Sequence, residues 1–242
     1  MKKIICIILI PIVSCQKLPT AQEIVNKAIV KSGVNKLKNG NASFTFREVQ
    51  YDYQMSNGNY MYARFAKDSL GNEIKEVLSN KGFSRFVNDT LVNVSKKKRD
   101  IYSASINSVI YFGFLPLPLN DKAVNKTYSN KVEINDKEYH EIKITFNSEG
   151  GGEDHEDVFY YWFDVEDYSL DYLTYSYEEN GNAGIRFREA YNARLVNGIV
   201  IQDYKNFKPN NEEMSLEQVL EAFKENRLSL ISLIELKDVE IE

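Results

Sequence analysis

The chain is poor in the residues that most often carry chemistry. Its 242 residues include only 2 cysteines, 2 histidines and 1 tryptophan. The cysteines, Cys6 and Cys15, both lie in the extreme N-terminal segment, so no disulfide braces the fold that follows. His140 and His155 stand alone, and there is no H-E-x-x-H pair, G-x-S-x-G elbow, phosphate-binding glycine loop or EF-hand pattern. The elements do not alternate as β-α units, which removes a Schiff-base lysine on a βα barrel. Excess positive charge is absent too. The net charge is −5, which argues against nucleic acid and anionic lipid headgroups as the main partner. The apolar run Ile4 to Val13 is too short to span a bilayer. No repeat or low-complexity linker interrupts the chain, and no motif asks for a cofactor.

What is present begins with the leader, MKKIICIILIPIVSCQ. Lys2 and Lys3 form a basic start, and the apolar run suits a secretory signal over 1–14. The closing Ile12-Val13-Ser14-Cys15 resembles the lipobox of bacterial lipoproteins. That resemblance implies cleavage before Cys15 and acylation of its sulfur. Losing Lys2 and Lys3 from the 30 basic residues leaves 28 against 35 acidic ones, a net charge of −7. Acyl chains rather than charge would then hold the protein on its membrane, each buried methylene contributing about 0.8 kcal/mol. Residues 15–19 form a tether of about 15 Å at full extension. Gln16 is not the aspartate that tends to retain lipoproteins in the inner membrane, and residues 16–20 carry no acidic cluster. The expected location is the outer membrane, facing the periplasm.

The remainder, 20–242, reads as one domain. Thr20-Ala21-Gln22-Glu23 is a capping box, Ile24, Val25, Ala28 and Ile29 follow at helical spacing, and Gly33 suits a left-handed stop. From Asn41 the period becomes two. In ASFTFREVQYDY, read as one strand, Phe44 and Phe46 share a face while Thr45, Arg47, Val49 and Tyr51 share the other. Asn57-Gly58, Gly71-Asn72 and Asn80-Lys81-Gly82 mark the turns of an antiparallel meander. A short apolar helix over about 103–112 carries Ile106, Val109 and Ile110, and Gly113, Pro116 and Pro118 stop it. Strands resume around Asn135-Asp136, with His140, Ile142 and Ile144 on one face, and continue at 157–164, 170–178, 184–193 and 198–207. Ser215 to Gln218 is a second capping box, opening a helix, and a last strand spans about 230–240. The predicted fold is mainly β, in the α+β class. It is a large curved antiparallel sheet, a half-barrel, with an N-terminal helix and a short helical insertion covering the concave face.

This order of elements resembles the half-barrel of periplasmic lipoprotein carriers and receptors of the Lol type. The resemblance implies helices that plug the open side and leave an apolar cavity. The runs LPLPLNDKAVNKTY, YHEIKITFNSEGGGEDHEDVFYYWFD, LDYLTYSY and GIRFREAYNARLVNGI resemble a family of Gram-negative lipoproteins of unassigned function. That second resemblance implies an exported domain and transfers no catalytic residue.

Three sets of side chains are candidates for a site. Phe44, Phe46, Ile106, Ile110, Ile142 and Ile144 would line a continuous cavity for a hydrophobic or amphiphilic ligand such as a lipid or acyl chain. Arg186 and Arg188 share a strand face, and with Arg47 they are the cations for an anionic head group at its mouth or for carboxylates across the ladder. In EGGGEDHEDVFYYWFD, His155 and Asp157 point the same way and are candidates for a metal, needing a third ligand from elsewhere. Against this binding reading stand a structural or interaction module of the envelope, and an enzyme built on His155 and Asp157.

Overall fold

A computed structural model describes residues 18–149, 156–179, 182–211 and 213–242. Thr20 caps the first helix, α1 (Ala21–Lys31), with the full reciprocal box to Glu23, and buries Ile24, Val25, Ala28 and Ile29. Gly33 follows at φ 74°. A meander comes next: β1 (Gly40–Phe46), β2 (Val49–Ser56), β3 (Asn59–Lys67), β4 (Glu73–Ser79), β5 (Gly82–Val87) and β6 (Thr90–Val92). The helix α2 (Lys96–Gly113) leads to β7 (Val124–Ile134), β8 (Lys137–Phe146), β9 (Phe159–Asp164), β10 (Leu170–Glu179), β11 (Asn182–Val196) and β12 (Ile199–Pro209). The short α3 (Val219–Lys224) and then β13 (Leu228–Ile234) and β14 (Lys237–Ile241) complete the chain.

Among the described residues the strands form two antiparallel seven-stranded sheets. One runs β14-β1-β2-β3-β4-β5-β6 and the other β13-β12-β11-β10-β9-β8-β7. The mainly β half-barrel is thus parted into two leaves, and the chain crosses between them at Glu235-Leu236. The strand expected over 230–240 is therefore two strands in different leaves. Leu236 turns inward and is buried, which breaks the alternation. Its amide donates to Asp203 Oδ1 at 3.0 Å. Asp203, itself buried, also accepts from Asn192 at 2.6 Å and pairs with Arg194 at 3.1 Å.

Two further expectations change. The stretch 42–53 is a hairpin rather than one strand, because Arg47 and Glu48 take φ values of 50° and 65° and form a two-residue turn. The turn puts Tyr51 opposite Phe44, on the same face, with the rings stacked at 5.5 Å. The insertion helix begins at Lys96, capped by the Ser95 hydroxyl, well before the apolar periodicity starts.

The main core lies between the leaves and takes in α1, Phe44, Tyr51, Ile106, Ile110, Ile142 and Ile144. A second core packs α3 against the back of the β7–β13 leaf, where Phe223 stacks on Phe187 at 4.4 Å. That leaf is covered on both faces. Both apolar rows of β8 to β11, including Tyr139, Trp162 and Phe187, are buried for this reason.

Candidate functional site

Helix α2 spans the open side between the leaves and touches both. Toward β3–β5, the Arg64 guanidinium donates to Ser105 at 3.0 Å and pairs with Glu76 through Nε at 2.6 Å. Arg85 pairs with the other Glu76 oxygen. Glu76 is 1% exposed, and the Tyr102 ring lies 5.9 Å from Arg64 and 4.9 Å from Arg85. A buried carboxylate held by two guanidinium groups satisfies its own desolvation and gives the helix a polar seat. Toward the other leaf, Tyr111 shares a 3.0 Å hydrogen bond with the Tyr161 hydroxyl, and Phe112 packs on Tyr175 at 5.3 Å.

A cavity of about 200 Å³ lies beneath the C-terminal half of α2. Ser108, Val109, Phe112 and Gly113 form its roof, and Phe46 and Arg47 one side. Ile234 and Leu236 close another side, and Arg188, Gln202, Tyr204 and Asn206 form the floor. The floor follows from strand register: Asn206, Arg188, Leu173, Tyr161 and Ile142 are successive partners in one row on the inner face. Most of that row is apolar; its end under α2 is not.

Arg188 is 7% exposed. Its Nη2 donates to the Tyr175 hydroxyl at 2.9 Å, and its guanidinium carbon lies 3.7 Å from the Phe112 ring centre. Nε and Nη1 have no hydrogen-bond partner, and neither has Oδ1 of the neighbouring Asn206. Asn206 donates to Ser232 at 3.1 Å, and Gln202 donates to Tyr204 at 2.7 Å. Burial pushes the Tyr204 hydroxyl up to about 12, so it stays protonated and able to donate. The lining holds two guanidinium groups and no carboxylate.

The structure redistributes the residues picked out by sequence. Phe44, Ile106, Ile110, Ile142 and Ile144 do not line a hollow. They are 0–3% exposed and fill the core between the leaves, so the continuous cavity expected from them is replaced by solid packing. Phe46 does line the smaller cavity, with Arg47 exposed at its mouth beside the Phe46 ring. Arg186 points to the same side as Arg188 but lies over Tyr177, its Nη1 donating to the Ile185 carbonyl at 2.9 Å. Neither arginine makes an ion pair among the described residues, so the expected carboxylate ladder is not formed. Asp157 is half-buried just before β9, away from the cavity. Cys15, His155 and the glycine run lie outside the described residues. Among the described residues no three acidic, histidine or cysteine side chains gather as a metal site. Sequence reasoning missed Gln202, Tyr204 and Asn206. Strict alternation from Arg188 through the Asn197-Gly198 turn would put Phe207 opposite it; the register shift between Tyr191 and Arg194, where Asn192 takes φ 51°, puts Asn206 there instead, and nothing local marks these three as polar residues in a core.

Two packed antiparallel leaves with a helix across their open side define the LolA-like fold. A LolA superfamily protein from Nitrosomonas europaea has that fold at a TM-score of 0.53 and 10% identity, covering 93% of this chain and 94% of that one. The family model for DUF6503, a family of unknown function, matches residues 2–236, and the chain belongs to that family. A DUF1329 family protein from Desulfovibrio piger is similar at a TM-score of 0.45 and 7% identity, over 92% of this chain and 93% of that one. No curated protein matches the chain by sequence. Among the described residues no helix is long and apolar enough to cross a membrane.

Proposed function

We propose that this protein is a lipid-anchored binding or carrier protein of the bacterial envelope, holding one amphiphilic ligand in the cleft beneath α2. The signal over 1–14 is removed, Cys15 is acylated, 15–19 form the tether, and 20–242 act as one domain at the outer membrane facing the periplasm. Membrane contact runs through the anchor, and neither nucleic acid nor a cofactor has a part. The observation that carries the reading is the cleft: apolar walls from Phe46, Val109, Phe112, Ile234 and Leu236 over a small polar floor. That combination is the usual make-up of a small-molecule site. Its 200 Å³ lies below the ~300 Å³ at which pockets for drug-sized ligands begin. The resting cavity therefore suits one short chain, and a longer one needs α2 to lift.

Native mass spectrometry of the protein released from its own envelope, with extraction and identification of bound lipid, tests this. One stoichiometric amphiphile is expected; an empty protein that also ignores added amphiphiles overturns the reading. A second reading, an interaction module with no small ligand, draws on β13. Among the described residues that strand pairs only with β12, and Leu230, Ile231 and Leu233 are 53%, 41% and 50% exposed along it. Co-purifying envelope proteins lost on Leu230→Lys would favour it.

A further inference from the structure

The cavity floor contains a mismatch that packing does not explain. A guanidinium group buried without a carboxylate is costly, and buried donors and acceptors are almost always paired. Here the only three buried side-chain polar atoms lacking partners among the described residues are Nε and Nη1 of Arg188 and Oδ1 of Asn206. All three belong to residues directly paired across β11 and β12, and both residues line the same cavity. We propose that Arg188 and Asn206 form a head-group subsite for a short single-chain carboxylate bearing a hydroxyl or N–H donor beside the carboxylate. This rests on the binding-protein reading above and specifies its ligand.

Each part of the ligand answers one feature. The planar fork of an arginine matches two coplanar oxygens. Only one cation is buried in the site, since Arg47 lies in solvent at the mouth, so a monoanion balances the charge where a phosphate dianion would not. A phosphodiester is also a monoanion but brings no donor for Asn206 Oδ1; a hydroxyl or amide next to the carboxylate does. The apolar tail then runs along Phe112, Val109 and Ile234. A cavity of ~150 Å³ can hold a benzene-sized molecule, so 200 Å³ leaves room for a head group and a short tail.

Calorimetric titration of the delipidated mature chain with octanol, octanoate, 3-hydroxyoctanoate and octyl phosphate tests the subsite. Octanoate is expected to bind about tenfold tighter than octanol, and 3-hydroxyoctanoate about threefold tighter again. Arg188→Met should abolish the first step and keep octanol binding, which also reports that the cavity is intact. Asn206→Leu should abolish only the second. If Arg188→Met does not fold, Arg188→Lys, which keeps the charge and loses the fork, should narrow the gap between octanoate and octanol. Equal binding of octanol and octanoate by the wild type overturns the subsite while leaving the cleft reading intact. Tighter binding of octyl phosphate overturns the choice of a carboxylate. No binding of any probe at millimolar concentration overturns both the subsite and the cleft.

Discussion

At the scale of single residues, much depends on backbone positions and buried polar atoms that few substitutions could replace. Gly33 ends α1 at φ 74°, and a β-carbon there would sit 2.2 Å from the Gly198 carbonyl oxygen. Both the left-handed backbone and the backbone clash oppose any other residue. Gly33→Ala should lower stability by about 2 kcal/mol, read as a shift of the urea midpoint at unchanged slope. Helical spacing and the glycine foretell this stop; the Gly198 approach is a tertiary contact that no local pattern encodes. His140 shows a different residue-scale effect. It is 2% exposed, stacked on Tyr168 at 6.1 Å and 3.5 Å from the Tyr128 hydroxyl. Burial first, then Lys131 and Lys27, hold its imidazole below its usual range, against a weaker pull from Glu138 and Asp164. The unfolded chain therefore takes up a proton before the folded one does. Full His140-linked stability is present above the unfolded value, roughly 6.5, and declines as pH falls from there toward the depressed folded value. His140→Gln should flatten that part of the stability–pH curve, measured by urea unfolding between pH 7.5 and 5. An unchanged slope would assign the acid sensitivity elsewhere.

Among the elements, turns built on asparagine were legible and a turn with neither asparagine nor glycine was not. Asn57-Gly58, Asn135-Asp136 and Asn197-Gly198 all take positive φ values where the hairpins demand them. Arg47-Glu48 does the same with neither asparagine nor glycine, so in the sequence the alternation runs straight through it and puts Tyr51 on the opposite face. The start of α2 was hidden for another reason: Lys96 to Arg99 are charged, and the helix buries little until Ile106. The two-strand C-terminus depends on Asp203, a β12 residue three positions before Asn206, the partner of Arg188, that sequence offers no reason to single out. Its carboxylate holds the Leu236 amide, Asn192 and Arg194 at the crossing between leaves. Asp203→Ala leaves Arg194 without its carboxylate and the Leu236 amide without an acceptor. A loss of about 3 kcal/mol is expected. The loss should come with faster amide exchange in β13 and β14 than in β9 and β10; uniform acceleration would mean that the crossing is no separate unit.

For the whole molecule, the candidate site was half legible. Composition and period announced one large curved antiparallel sheet with too few helices to cover it, and its parting into two leaves was not legible. They could not say whether the space between would be hollow, because the same Phe44, Ile106, Ile142 and Ile144 would line a cavity or fill a core. The answer depends on the distance between the leaves, and packing sets it: the leaves close until the aromatic rows meet. What stays open is the margin under α2, where Arg188, Gln202 and Asn206 replace apolar side chains. The capacity of the molecule then turns on how firmly α2 is seated. On one side the helix rests on the Arg64–Glu76–Arg85 triad through Ser105 and Tyr102; on the other it rests on Phe112 and Tyr111. Ser105→Ala removes one hydrogen bond to a charged donor, a contribution of about 1.5 kcal/mol, while leaving the triad's own ion pairs in place. A lid seated in this way should open alone. In hydrogen exchange, α2 amides of the Ser105→Ala chain should exchange about tenfold faster, with β9 to β12 unchanged, and a bound amphiphile should slow α2 and the floor strands together. If α2 exchanges only with the global unfolding of both leaves, the helix is a fixed part of the core, and the cleft can take no ligand larger than its resting 200 Å³.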